Sequence, residues 1–239
     1  MTTTLFIPTL NEIEGMKAIM PQVKKEWCDQ ILVVDGHSTD GTIEYARDMG
    51  YDVYIQRDPG LRAAYRESWP LIKGDNVITF SPDGNSPPEH IPKLIDKMKE
   101  GYDMVIGSRY FQGLKSDDDD VLTAFGNWLF TRVINFVHNG KYSDAMTIYR
   151  IYRTKLFYEL GLHEDSTYTY VEKLYFTRIG VEPILSVRCA KEGLKTADIA
   201  CPEPARIGGE RKLQIVRWGL AFMTQVFVEK FTPRRNLQR

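Results

Sequence analysis

Two isolated carboxylates, each placed where an apolar run gives way to a loop, carry the most chemistry in this 239-residue chain. Asp35 stands in V-V-D-G-H-S-T-D-G-T at 33–42, and Asp83 in S-P-D-G-N-S-P-P-E at 81–89, directly after I-T-F. Residues 31–34 and 77–80 read as buried strands, so each acid emerges at a strand end. A parallel α/β sheet binds ligands outside the carboxyl ends of its strands. One such loop can recognise a base or ribose while the other holds a divalent cation, a combination that suits a nucleotide diphosphate. A hard cation takes oxygen ligands and shares its shell with water and substrate phosphates. Asp83 and the amide oxygen of Asn85 are the candidate pair.

Cationic residues complete the set. Arg206 and Lys212 flank Gly208 and Gly209 in R-I-G-G-E-R-K-L at 206–213. A planar guanidinium fork and a compact ammonium could clamp a diphosphate, and two glycines free the backbone to close over it. Ordinary surface cations are the competing reading. Arg109 follows a buried-looking strand, where a charge is costly without a partner; it would hold a sugar or an acceptor phosphate, or pair with a structural carboxylate. Asp144 and Arg150, bounding D-A-M-T-I-Y-R, could bridge each other. Glu172 is a candidate base if the acceptor is a hydroxyl, with electrostatics at a helix start as the alternative. His37 could touch the ligand, whereas His138 suits a helix end, protonated beside the last carbonyls.

The elements that must position these groups alternate through the first hundred residues. Strands are expected at 4–8, 30–35, 52–56, 76–80 and 103–107, with helices at 13–26, 40–48, 60–72 and 89–100, the last introduced by Pro87 and Pro88. This rhythm indicates βαβ units, a mainly parallel sheet and a Rossmann-like α/β fold. Asp40 is a plausible helix cap. The second half reads as more helical. An aromatic-rich helix at 121–138 suggests a core-facing stripe or a lipid-facing groove, and S-D-D-D-D at 116–120 a mobile, solvated loop, with a second metal site as the less favoured alternative. Residues 212–231 suit an amphipathic helix with basic flanks, resting on anionic lipid, on its own domain or on a second subunit of a homo-oligomer.

Composition narrows the classes. The length fits one α/β domain over 1–239, divided into a nucleotide-binding half (1–110), an acceptor-side half (111–211) and a C-terminal helix with basic tail (212–239). A net charge of −1 argues against bulk electrostatic binding of nucleic acid. No apolar run approaches the roughly 20 residues of a spanning helix. Three cysteines without metal-ligand spacing, and an opening that reads straight into a strand, suggest a reduced cytoplasmic protein, with peripheral contact at the inner membrane face if the basic helix meets lipid.

These motifs, taken in order, resemble the family 2 glycosyltransferases, in particular the dolichol-phosphate mannosyltransferase and bacterial polyprenyl-phosphate sugar transferase branch. I-P-T-L-N-E at 7–12 looks like the family's nucleotide-contacting start, which implies roles for Pro8, Thr9, Asn11 and Glu12. V-V-D-G-H-S-T-D-G-T resembles V-V-D-D-G-S-x-D-G-T, with Asp35 on the position expected to contact base or ribose. P-G-L-R-A-A-Y-R-E at 59–67 resembles G-x-G-A-A-x-x-x-G, bringing in Arg62. S-P-D-G-N occupies the metal-binding D-x-D segment, with Ser81 in place of its first Asp. V-I-G-S-R-Y at 105–110, D-A-M-T-I-Y-R-I-Y-R at 144–153 and the late R-x-x-G segment match further motifs. The resemblance implies a GT-A fold and metal-assisted transfer, with Mg²⁺ or Mn²⁺, of a sugar from a nucleotide diphosphate donor to a polyprenyl phosphate or surface glycan, with inversion. It implies catalytic roles for Asp83, Arg109 and Glu172. Two rivals compete: a non-catalytic nucleotide-sugar binder, for which Ser81 argues, and a sugar-1-phosphate nucleotidyltransferase, which would want a glycine-rich loop after the first strand.

Overall fold

The computed structural model describes residues 1–207, 215–235 and 237. Four strands of the first half, β1 (Thr3–Thr9), β2 (Gln30–Asp35), β3 (Asp52–Ile55) and β4 (Asn76–Thr79), run parallel. Their side chains alternate between the two faces. Leu5 and Ile7 of β1 join one apolar cluster and Phe6 joins the other, so helices must cover both sides. The crossovers are α1 (Ile13–Ile19), α2 (Thr42–Asp48), α3 (Leu61–Ser68) and α4 (Ile91–Lys99). The first is shorter than expected, because the chain at Pro21 passes into 3-10 turns at Met20–Gln22 and Lys25–Trp27. Asp40 does not occupy the cap position of α2. Gly41, at φ 95°, holds it, and the Asp40 carboxylate instead accepts from Thr42 N and from Ile13 N, each at 3.0 Å, tying together the starts of two helices.

Strands β5 (Met104–Ser108), β6 (Arg150–Arg153) and β7 (Thr196–Ala200) complete a sheet of order β3-β2-β1-β4-β6-β5-β7. Only β6 is antiparallel to its neighbours among these described strands. It slots between β4 and β5, and its first residue is a wholly buried arginine. The expected Asp144–Arg150 bridge is absent. Arg150 instead donates to the Thr147 carbonyl (2.9 Å from Nε), the Ala145 carbonyl (3.3 Å), the Glu182 carbonyl (3.2 Å) and Ser186 Oγ (2.7 Å). Short carbonyl-rich turns around a guanidinium satisfy its donors without a second buried charge.

The remaining helices, α5 (Val121–His138), α6 (Leu156–Glu159), α7 (Ser166–Tyr175), α8 (Val181–Glu192) and α9 (Ile215–Phe231), build the other half. A buried pair, Arg188 to Glu229 at 2.6 Å, joins α8 to α9. The apolar stripe of α5 serves the core only in part: Val133 and Val137, with Phe130, pack against it beside the buried Ile134. Thr123, Asn127, Thr131, Ile134 and His138 face inward, while Phe125, Trp128 and Phe136 are exposed, so the helix carries its polar side chains inside. The acidic run before it is likewise not a free solvated loop. Asp120 caps α5 through Thr123 N at 2.7 Å, and Asp119 accepts from Tyr110 Oη and Asn127 Nδ2.

His138 ends α5, but its Nε2 lies 2.9 Å from the carbonyl of Val226 on α9 rather than beside its own last carbonyls. Burial holds its pKa below 6.5, partly opposed by the Val226 carbonyl and Glu229 and aided by Lys191 and Lys230. The expected protonated imidazole is thus replaced by a neutral one. The unfolded chain therefore takes up this proton first, and stability is lost as pH falls through about 6.5 towards the folded value. Urea midpoints measured from pH 8 to pH 5 should fall further for the parent than for His138→Gln; parallel curves would refute this.

At the end of β2, Asp35 is fully buried. Its carboxylate accepts from Thr9 Oγ1 at 2.8 Å, Ser38 N at 2.7 Å and Ser38 Oγ at 2.7 Å, stitching the end of β1 to the following turn. A strand-end carboxylate of this kind is structural as well as polar. Asp35→Ala should lower unfolding stability by about 1.5–3 kcal/mol, the worth of a hydrogen bond to a charged group. Chemical denaturation with unchanged m and unchanged midpoint would contradict the assignment.

Candidate active site

The described residues bound a cavity of about 1450 Å³ at the carboxyl ends of the parallel strands. Pro8 and Thr9 end β1 there, Gly36 follows β2, Ser81, Asp83 and Asn85 follow β4, and Arg109 follows β5. Glu172 on α7 and Trp218 on α9 line it as well. Of the sequence-derived set, Pro8, Thr9, Glu12, Asp83, Asn85, Arg109, Glu172 and Arg206 line this space. Asn11, Asp35 and Arg62 are not among its lining residues, and Lys212, Gly208 and Gly209 lie outside the described residues.

Asp83 reaches its place through close packing. A Cβ on Gly15 of α1 would fall 2.3 Å from the Pro82 carbonyl oxygen, so only glycine lets the helix lie this near the loop. Gly84, at φ 94°, makes the turn that follows, and a Cβ there would meet Ile207 Cγ1 at 2.9 Å. Ile207 N donates to the Asp83 carbonyl at 2.6 Å. The Arg206 Nη1 lies 2.9 Å from Asp83 Oδ2, so the expected phosphate clamp and the expected metal ligand are ion-paired with each other.

Asn85 donates its backbone N–H to Asp83 Oδ1 and its Nδ2 to Asp118 Oδ2, each at 3.1 Å, while its Oδ1 is buried with no hydrogen-bond partner among the described residues. A buried acceptor left unpaired beside a buried carboxylate fits a cation-ligand position. Among the described residues no cluster of three or more His, Cys, Asp or Glu could hold a metal ion. A cation here would therefore depend on Asp83, Asn85 and substrate oxygens.

Arg109 is buried and pairs with Asp144, Nε to Oδ2 at 2.6 Å and Nη2 to Oδ1 at 3.0 Å, with Glu203 at 3.6 Å. Burial alone would disfavour its charge, but Asp144 and then Glu203 outweigh that and hold its pKa above the usual value. For Asp144 burial pushes up, and Arg109 more than offsets it, keeping the carboxyl below its ordinary range. Burial raises Glu203, against the pull of Arg109. The structural-carboxylate alternative for Arg109 is therefore realised, with one edge still lining the cavity.

Glu172 lies late in α7 rather than near its start, so helix-start electrostatics does not apply to it. It accepts from Arg62 at 2.5 and 3.0 Å and from Ile179 N at 2.9 Å. The guanidinium of Arg62 also stacks 4.3 Å from the Tyr168 ring centre. Asn11, at φ 57°, accepts from Thr39 N at 2.9 Å and receives support from Ser38 Oγ, which pins the turn after β2. His37, at φ 69°, occupies that same turn.

Sequence reasoning missed Asp118, Gln56, Glu203, Arg178 and Trp218 as lining groups. Asp118 sat inside a run of like charge, and Trp218 inside an apolar helix, where neither spacing nor context marks one residue. Glu203 follows β7, a strand without a sequence signal.

Residues 4–161 match the model of glycosyl transferase family 2. Glycosyltransferase AglJ of Haloferax volcanii is 30% identical over 217 residues, covering 90% of this chain and 67% of that protein. A dolichyl-phosphate hexose transferase of the same organism is 28% identical over 215 residues, covering 89% and 87% respectively. Glucosyl-3-phosphoglycerate synthase from Mycobacterium tuberculosis, crystallised with Mn²⁺, UDP and glucosyl-3-phosphoglycerate, superposes with a TM-score of 0.65 at 20% identity, covering 97% of this chain and 81% of that one. The expected GT-A fold is thus found, with its mostly parallel sheet and helical second half. With the family model matched across β1 to β6 and relatives that transfer sugars, this chain belongs to glycosyl transferase family 2 and is a glycosyltransferase.

Proposed function

We propose that the protein moves a sugar from a nucleotide diphosphate donor to a polyprenyl phosphate, with a divalent cation and with inversion at the transferred carbon. The observation that carries this reading is the buried Asp83 carboxylate beside the unpartnered Asn85 Oδ1, on the floor of the cavity. When bound, Mg²⁺ or Mn²⁺ would neutralise charge developing on the departing diphosphate. Pro8, Thr9 and Glu12 line the part of the cavity beside β1 and β2 and would frame the nucleoside. Asp35 and Asn11 act on it through the turn they hold, and Arg62 through the wall it builds with Glu172. Arg206, freed from Asp83, would turn its fork to the diphosphate, with Lys212 of the same segment as its partner. A phosphate acceptor is already anionic and needs no general base, which suits a Glu172 whose oxygens are engaged.

The acceptor side is supported by surface chemistry. Val121, Leu122, Phe125 and Trp128 on α5 are exposed, as are Leu220 and Phe227 on α9 and Phe176 after α7. Exposed apolar area of this extent marks an interaction surface. Arg132 and Arg217 are exposed on the same two helices and would favour anionic lipid headgroups. No helix among the described residues is long and apolar enough to cross a membrane; the exposed apolar and basic groups of α5 and α9 would meet lipid at the bilayer surface. The dolichyl-phosphate relative favours a polyprenyl phosphate over a surface glycan.

Thermal-shift screening with UDP, GDP, CDP and dTDP identifies the base, since a ligand of the native state raises apparent stability. Transfer from the matching nucleotide sugar to a short polyprenyl phosphate should then require Mg²⁺ or Mn²⁺ and fall by at least about a hundredfold in Asp83→Ala. Binding without release of nucleotide diphosphate would instead favour the non-catalytic reading. Full activity of Asp83→Ala in excess chelator would remove the cation from the reaction.

A further inference from the structure

We propose that Asp118 is a positioning residue for the cation site, holding the Asn85 amide so that its oxygen is left as a ligand. The inference rests on the cation reading above and adds a residue from a different part of the chain. An amide has a donor end and an acceptor end, and an ionised carboxylate accepts only. With Asp118 Oδ2 at 3.1 Å, the end of Asn85 facing it must be Nδ2, which leaves Oδ1 as the end with no partner. Rotating the amide would set oxygen against oxygen and withdraw the ligand.

The segment that carries Asp118 is built to arrive there. Ser116 Oγ receives the N–H of Asp118 at 3.2 Å and that of Asp119 at 3.1 Å, and itself donates to Glu203. Asp117 N donates to the Glu203 carbonyl at 2.9 Å, and Asp120 caps α5. Both Asp118 and Asn85 line the cavity. With Ser81 where a second acid would otherwise stand, Asp83 is the one carboxylate in the 81–85 turn. Asp118 restores negative charge next to the second ligand from 33 residues further along the chain. Carboxylates that orient a metal ligand in this way typically govern affinity by about 10–100-fold.

The measurement is Mn²⁺ affinity by calorimetry and by electron paramagnetic resonance of free Mn²⁺, with UDP or GDP present, whichever raises the melting temperature. Asp118→Ala should weaken Mn²⁺ binding about 10–100-fold. Asp118→Asn, whose Oδ1 can still accept from Asn85, should stay near the parent. In an Asn85→Asp background both ends of the side chain accept, so adding Asp118→Ala should cost nothing further, and this cycle isolates the coupling. Equal losses in Asp118→Asn and Asp118→Ala, or a full loss that persists in the Asn85→Asp background, would overturn positioning. Parent-like binding by Asp118→Ala would overturn it as well. If the parent itself binds no Mn²⁺, the cation reading fails instead. Should Asp118→Ala fail to fold, Asp118→Leu, which keeps the side-chain bulk and removes the acceptor, takes its place in both arms with the same expected losses.

Discussion

One buried guanidinium organises the second half of the molecule, against which the first four strands complete their sheet. Arg150 is enclosed at the start of β6, and its donors reach the Ala145 and Thr147 carbonyls, the Glu182 carbonyl and Ser186. A charge removed from water must find all its partners in the protein. The turn at 145–147 therefore wraps the arginine, and the first turns of α8 press against it. That same turn carries Asp144 to Arg109 and presents Met146, Thr147 and Ile148 to the cavity. Packing, site wall and the Arg109 pair thus descend from one hydrogen-bonding requirement.

A second constraint is the balance of charge at the strand ends. Asp83 is matched by Arg206 and Asp144 by Arg109, both within 3 Å. Buried acids so close to arginines are strongly favoured over unpaired ones. The two pairs differ in standing. Arg109 is also near Asp119 and Glu203, inside an acidic surround, whereas the Arg206 side chain is 25% exposed where it meets Asp83. A cation competing for Asp83 would release a guanidinium and not merely add a charge. Anion binding and cation binding would then occur together at one corner of the cavity.

Much of the fold was legible because β1 to β4 are continuous apolar runs separated by helical spacing, and because Asp35 and Asp83 follow two of them directly. β6 escaped notice since R-I-Y-R offers two apolar residues between arginines, one of which is buried by carbonyls rather than exposed. β7, T-A-D-I-A, is an edge strand only half-buried along its length, so its pattern is weak. The stripe on α5 was visible but its direction was not. Periodicity fixes which residues share a helix face, while the inward turn of Asn127 and Thr131 depends on partners outside the helix, Tyr110 and Ala145. Asp35 was recognised as chemically important, yet its burial by Thr9 and Ser38 needs a fold to see. Asp118 is the clearest case: its partner Asn85 is remote in sequence, and five consecutive polar residues gave no reason to choose it.

The reversed strand β6 has a consequence for how the chain reaches this structure. β4 and β5 are joined by one crossover containing a 3-10 turn and α4, yet they never pair; each waits for residues 150–153 to fill the gap between them. Until then the growing sheet has two open inner edges, and open edges invite pairing with other chains. The sheet is then extended to its full width by β7, which pairs with β5 across some 90 residues. Such long loops must be closed before their contacts repay the entropy, a circumstance that slows folding and lengthens exposure to aggregation. A ribosome releasing only the first hundred residues would therefore present four parallel strands whose sheet is still unfilled, and truncations between β5 and β6 would be poor choices for expression.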